Sequence, residues 1–211
     1  MAGSSFFQYY LLPALILLPF CAYKATPCLP LSASTPESNR NIAYIKKSCN
    51  DTIYPLLCNQ ILLVRADEIH CSPKMLAKIS ISIAHAASIN VSKVVSAFQG
   101  RNNLTKEEAQ AIEVCVEEVR DSVDELQKSI DSMGIEVGDP NFKTQMEGIL
   151  SWVSAVLTDG ETCTDAFEEK GANRDVSTTV VPQVDYLKQL ASIALVFVRK
   201  YASANSHAHA N

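Results

Sequence analysis

Thr105-Lys-Glu-Glu108-Ala-Gln-Ala-Ile112-Glu-Val-Cys115-Val116-Glu-Glu-Val119-Arg-Asp-Ser-Val123-Asp-Glu-Leu126-Gln-Lys-Ser-Ile130-Asp-Ser-Met133-Gly134 is the stretch that decides the fold. Thr105 and Glu108 are spaced as a capping box, the signature of a helix start. Ile112, Val116, Val119, Val123, Leu126, Ile130 and Met133 then alternate steps of four and three. That is an a/d seam held over several turns, and Gly134 closes it.

Similar signals lie on either side. Upstream, Ser72-Pro73 sets an N-cap before a proline at the first helical position. Leu76, Ile79, Ile83, Ala87, Val94 and Phe98 follow at helical steps, and Gly100 ends the run. Downstream, a helix after Asp139-Pro140 carries Phe142, Met146, Ile149, Val153 and Val156 on one face, with a break at Asp159-Gly160. A last helix spans about 181–202, almost continuously apolar from Leu190 to Val198 and therefore central. Four long helices with short connections predict an all-α, antiparallel four-helix bundle. Two short helices precede it, over 37–47 and from an N-cap at Thr52 to about Ala66, with Pro55 in the first turn. They form an appended hairpin, antiparallel if Cys49 and Cys58 are bonded.

The chain has 211 residues, enough for one domain with its own core. A net charge of −5 disfavours nucleic acid as a partner, because that needs a basic footprint. Residues 1–25 read as a signal peptide: Leu11 to Ala22 is an apolar run of h-region length, although Met1 to Tyr10 contains no Lys or Arg. No second stretch is long enough to span a bilayer, so no membrane association is expected after cleavage. Residues 26–38, with Pro27, Pro30 and Pro36, read as a flexible mature N-terminus, 39–202 as the helical domain and 203–211 as a disordered tail. Sequons at Asn50, Asn90 and Asn103 agree with secretion. Cys21 leaves with the leader, and Cys28, Cys49, Cys58, Cys71, Cys115 and Cys163 remain in a compartment where disulfides persist.

Nothing points to catalysis. The histidines are His70 and His85, plus His207 and His209 in the tail. No Gly-x-Ser-x-Gly, phosphate loop or His-Glu-x-x-His occurs. The cysteines lack paired Cys-x-x-Cys spacing, so no metal site and no cofactor is expected. The acidic excess between Lys106 and Glu147 is more informative. Most of it is the solvated face of an amphipathic helix, but Glu117, Asp121, Asp124 and Glu125 recur at helical spacing on one flank. Such a surface can steer a basic partner.

Three blocks resemble the plant invertase and pectin methylesterase inhibitor family. They are Ser48-Cys49 through Tyr54-Pro55-Leu-Leu-Cys58, Cys115-Val-Glu117 with Asp121-Ser-Val-Asp124-Glu-Leu126, and Trp152-Val-Ser-Ala155 through Thr162-Cys163-Thr-Asp165-Ala-Phe167. Val119 and Ile193 depart from the family's usual Tyr and Asn, changes expected to alter packing more than fold. The resemblance implies disulfides Cys49–Cys58 and Cys115–Cys163, the second tying the heptad helix to a segment after the fifth helix. Cys28 and Cys71 are then either free or bonded to each other, and the reading favours a free thiol at Cys71. It further implies a secreted inhibitor of the apoplast or cell wall rather than an enzyme. Its bundle would cover the substrate cleft of a pectin methylesterase, with Glu117, Asp121, Asp124, Thr162 and Asp165 at the contact. Thr162 and Asp165 could equally cap a helix start after Gly160. The alternative partner is an acid invertase, whose inhibitors tend to carry a Pro-Lys-Phe-like loop that this chain lacks. A non-inhibitory secreted bundle is the third reading.

Overall fold

The computed structural model describes residues 37–169 and 174–208. The leader, the segment with Cys21, Cys28 and the three prolines, and residues 209–211 lie outside the described residues. Every element among the described residues is helical: α1 Glu37–Cys49, α2 Pro55–Leu62, a 3₁₀ turn Leu63–Arg65, α3 Ala66–Ile69, α4 Pro73–Ser96, α5 Lys106–Ser132, α6 Phe142–Glu169 and α7 Arg174–Ala208.

Helices α4 to α7 form the bundle. Each packs on the next, and α7 closes the square against α4. Lys74 Nζ at the start of α4 donates to Gly134 O just past α5 (2.9 Å). The Tyr201 hydroxyl near the end of α7 donates to Ile135 O (2.9 Å) and its ring stacks edge-on against Phe142 at the start of α6. These contacts place the start of α4, the end of α5, the start of α6 and the late turns of α7 at one end, as an antiparallel bundle requires. The hairpin sits there too, and Lys200 on α7 pairs with Asp51 beside it.

The caps follow the local chemistry. Ser72 Oγ accepts from Met75 N (3.2 Å) ahead of Pro73. Thr105 and Glu108 make the full capping box, with Glu108 N–H to Thr105 Oγ1 at 3.1 Å and Thr105 N–H to Glu108 Oε2 at 2.7 Å. The buried stripe of α5 departs from the expected one. Its buried residues are Glu108, Ala111, Ile112, Cys115, Val119, Ser122, Leu126 and Ser129, and Met133 extends the stripe past the helix. Val116, Val123 and Ile130 are only half-buried flanks. The heptad rhythm is right, but alternate layers hold Cys115, Ser122 and Ser129, and the first two of these small residues meet α6 directly. Val119 and Ile193 both lie in the core, at 1% and 0% exposure, so the two departures from the family pattern are packing changes.

Several expectations are corrected. α6 runs unbroken through Asp159-Gly160. The glycine there serves a close approach: a Cβ on Gly160 would lie 2.5 Å from Lys188 Cγ on α7. α7 begins at Arg174, well before residue 181, and carries Pro182 inside it. Proline removes one helical hydrogen bond, but Val176, Val180 and Val184 keep a buried stripe across it. α7 also continues to Ala208, where a frayed tail was expected from residue 203. Thr52 does not cap α2, whose N-cap is Tyr54. Instead the buried Thr52 donates from Oγ1 to Cys49 O (2.8 Å), closing the turn after α1. The second helix is split at the 3₁₀ turn, and left-handed His70 and Cys71 (φ 46 and 54) stop α3.

Both implied disulfides form, Cys49–Cys58 and Cys115–Cys163. Cys71 is also disulfide-bonded, which overturns the expectation of a free thiol.

Candidate docking face on α5 and α6

The Cys115–Cys163 bond brings the Cα atoms of α5 and α6 to 4.4 Å. Both cysteines are fully buried, while Glu117 of α5 and Thr162 and Asp165 of α6 beside them are exposed. Glu117, Asp121 and Asp124 stand at i, i+4 and i+7 on α5 and are all exposed, a row on one face of the helix. Thr162 and Asp165 are exposed on α6, either side of Cys163. The disulfide therefore joins the two stretches that the family resemblance implied for the contact. Thr162 and Asp165 do not cap a helix start. They lie within α6, and the Thr162 hydroxyl donates to Thr158 O one turn back (3.0 Å).

Between these exposed rows lies a carboxylate cluster that sequence reasoning only partly found. Asp159 of α6 accepts a 2.8 Å hydrogen bond from the Ser122 hydroxyl of α5. Glu125 lies against it. Burial, reinforced by Asp159 and then Asp121, pushes the Glu125 carboxyl up to about 7. Burial likewise raises Asp159, opposed by its hydrogen bonds with Ser122 and Glu125. Glu118 is raised by burial and then by Asp159, Asp121 and Glu117. Glu125 was noticed only as part of an acidic flank, and Asp159 was assigned to a break. The signal that would have found Asp159 is its spacing: it precedes Cys163 by one helical turn, on the face that meets α5.

The groups available here are hydroxyls and carboxylates with no nucleophile–base pair, and no histidine lies on α5 or α6. Among the described residues no cluster of His, Cys, Asp and Glu is arranged to hold a metal ion, and no helix is long and apolar enough to cross a membrane. Two helices tied by a buried disulfide thus present a negative rim to solvent.

The chain matches the family model described as plant invertase/pectin methylesterase inhibitor over residues 43–197. It is similar to pectinesterase inhibitor 10 of Arabidopsis thaliana, 36% identical over 83% of this chain and 56% of that protein. It is also similar to the 21 kDa protein of Daucus carota, 31% identical over 83% of this chain and 91% of the relative. Pectinesterase inhibitor 11 of Arabidopsis thaliana is 31% identical over 84% and 92%. The chain thus spans little more than half of the first relative and about nine-tenths of the other two. Its fold matches the crystal structure of a mutant form of a pectin methylesterase inhibitor from Arabidopsis, with a TM-score of 0.60 at 21% identity over 74% of this chain and 96% of that one.

Proposed function

The chain belongs to the plant invertase/pectin methylesterase inhibitor family, and from that premise we propose that it inhibits a pectin methylesterase by laying the α5–α6 face across the enzyme's substrate cleft. The observation that carries this reading is the exposed set Glu117, Asp121, Asp124, Thr162 and Asp165, gathered on two helices tied at Cys115–Cys163. A preformed helical surface loses little entropy on docking, so it can block a cleft by steric occlusion alone. The negative rim matches an enzyme that binds a polyanionic substrate and so presents a basic cleft. The protein acts outside the cell after its leader is removed, in the apoplast or cell wall. Asn50, Asn90 and Asn103 are all exposed, as glycan acceptors on that route must be.

The test is a titration of the purified secreted form against a pectin methylesterase and, in parallel, an acid invertase. Loss of pectin methylesterase activity at stoichiometric inhibitor is expected. Block of the invertase alone would move the chain to the other branch of the family. No effect on either at micromolar concentration would leave a non-inhibitory bundle.

A further inference from the structure

We infer that Glu125 of α5 and Asp159 of α6 share one proton across the α5–α6 seam, so that these two helices hold together most firmly in acid and loosen as the medium approaches neutrality. This rests on the seam itself and stands whether or not the face binds an enzyme.

The geometry carries the inference. Asp159 Oδ2 already accepts from the Ser122 hydroxyl at 2.8 Å. Glu125 Oε2 is sealed from water and meets no hydrogen-bond donor, while its carboxyl lies against that of Asp159. A buried carboxylate oxygen left unsatisfied is costly, and two carboxylates in contact cannot both stay charged without strong repulsion. One proton resolves both problems. Asp159 has the hydroxyl donor that favours its anion, so the proton resides on Glu125, which donates to Asp159.

The surrounding charges act the same way. On α5, Asp121 raises both carboxyls, and Lys128 opposes the effect at Glu125. Glu117 and Glu118 add to the negative field along the same helix. On the α7 side Lys188 is committed to Glu161 at 2.8 Å and Asp185 at 3.3 Å. The groups that act on the pair are Asp121, Ser122 and Lys128 of α5. Burial and the neighbouring Asp159 push the Glu125 carboxyl up to about 7 in the folded chain, from an ordinary value of 4.5. The folded state therefore holds a proton that the unfolded chain releases. The stability from this link is complete below about 4.5 and is lost as pH rises to and through about 7.

Thermal melts of the wild type and Glu125→Gln from pH about 4 to about 7.5 test the proposal. Gln keeps a neutral donor toward Asp159 and has no proton to lose. The wild-type Tm is expected to fall about 5 °C further than that of Glu125→Gln over this range. Parallel curves would overturn the proposal. Glu118→Gln should retain most of the wild-type slope, and if it abolished the slope the shared proton would belong elsewhere in the cluster. Should Glu125→Gln fail to fold, a carboxyl NMR titration of Glu125 in the wild type decides. A midpoint near about 7 upholds the pair, and a midpoint in the ordinary glutamate range sinks it.

Discussion

The Ser122 hydroxyl on α5 donates a 2.8 Å hydrogen bond to Asp159 Oδ2 on α6, from a serine only 1% exposed. A serine in a heptad seam is a weak hydrophobe, and here it earns its place as a donor. Ser122→Ala keeps the small volume and removes the bond. Leaving a half-buried carboxylate without its donor costs about 1–2 kcal/mol. Because the bond favours charged Asp159, the cost should be larger at neutral pH than in acid. Denaturant titrations at the two pH values measure it, and equal costs would show that the bond does not discriminate between the charge states.

The two described disulfides should differ in weight. Cys49 and Cys58 are 9 residues apart, Cys115 and Cys163 are 48 apart. Loop-closure entropy then assigns ~2.5 kcal/mol to the first and ~4 kcal/mol to the second. Replacing each pair by alanines and comparing denaturation midpoints checks the order. Loss of the second pair should also abolish inhibition at concentrations where loss of the first leaves it measurable, because only the second bond backs the proposed face.

Gly160 and Lys188 should be energetically coupled. Alanine at an interior helical position normally gains ~1 kcal/mol over glycine. Here the new Cβ would meet the Lys188 stem at 2.5 Å. Gly160→Ala is expected to show no gain in the wild type and the full gain in a Lys188→Ala background. A double-mutant cycle by thermal denaturation reads this directly, and a coupling below ~0.5 kcal/mol would mean that the lysine yields freely.

Charge reversal on the rim tests the docking face. Asp121→Lys or Asp165→Lys should weaken pectin methylesterase inhibition about tenfold, ~1.4 kcal/mol, mainly through a slower on-rate. The wild-type on-rate should fall with added salt more steeply than that of either variant. Asp131→Lys, exposed further along α5, should change little. Identical inhibition by all three would move the contact to another face.

Much of the fold was legible in the chain because helix starts and heptad periods are local chemistry. The Thr105–Glu108 box, the Ser72-Pro73 start and the alternating steps of α5 each depend on residues a few positions apart. So did the exposed acidic row, since helical spacing alone puts Glu117, Asp121 and Asp124 together. The long-range facts were not legible in that way. The pairing of Cys115 with Cys163 came from family resemblance, and the bonded state of Cys71 only from the structure.

Where hydrophobicity was the guide, it misled in a consistent direction. It ranked Val116, Val123 and Ile130 above Cys115, Ser122 and Ser129, and the Asp159-Gly160 pair was separately read as a break. Cys115 and Ser122 are where α5 meets α6, and Gly160 is where α6 meets Lys188 of α7. The sequence by itself determined the helices, their order and the sign of the surface. Only the tertiary structure decided which residues meet across the seam: close packing selects small side chains, and a buried carboxyl pair forms only when two helices distant in sequence are pressed together.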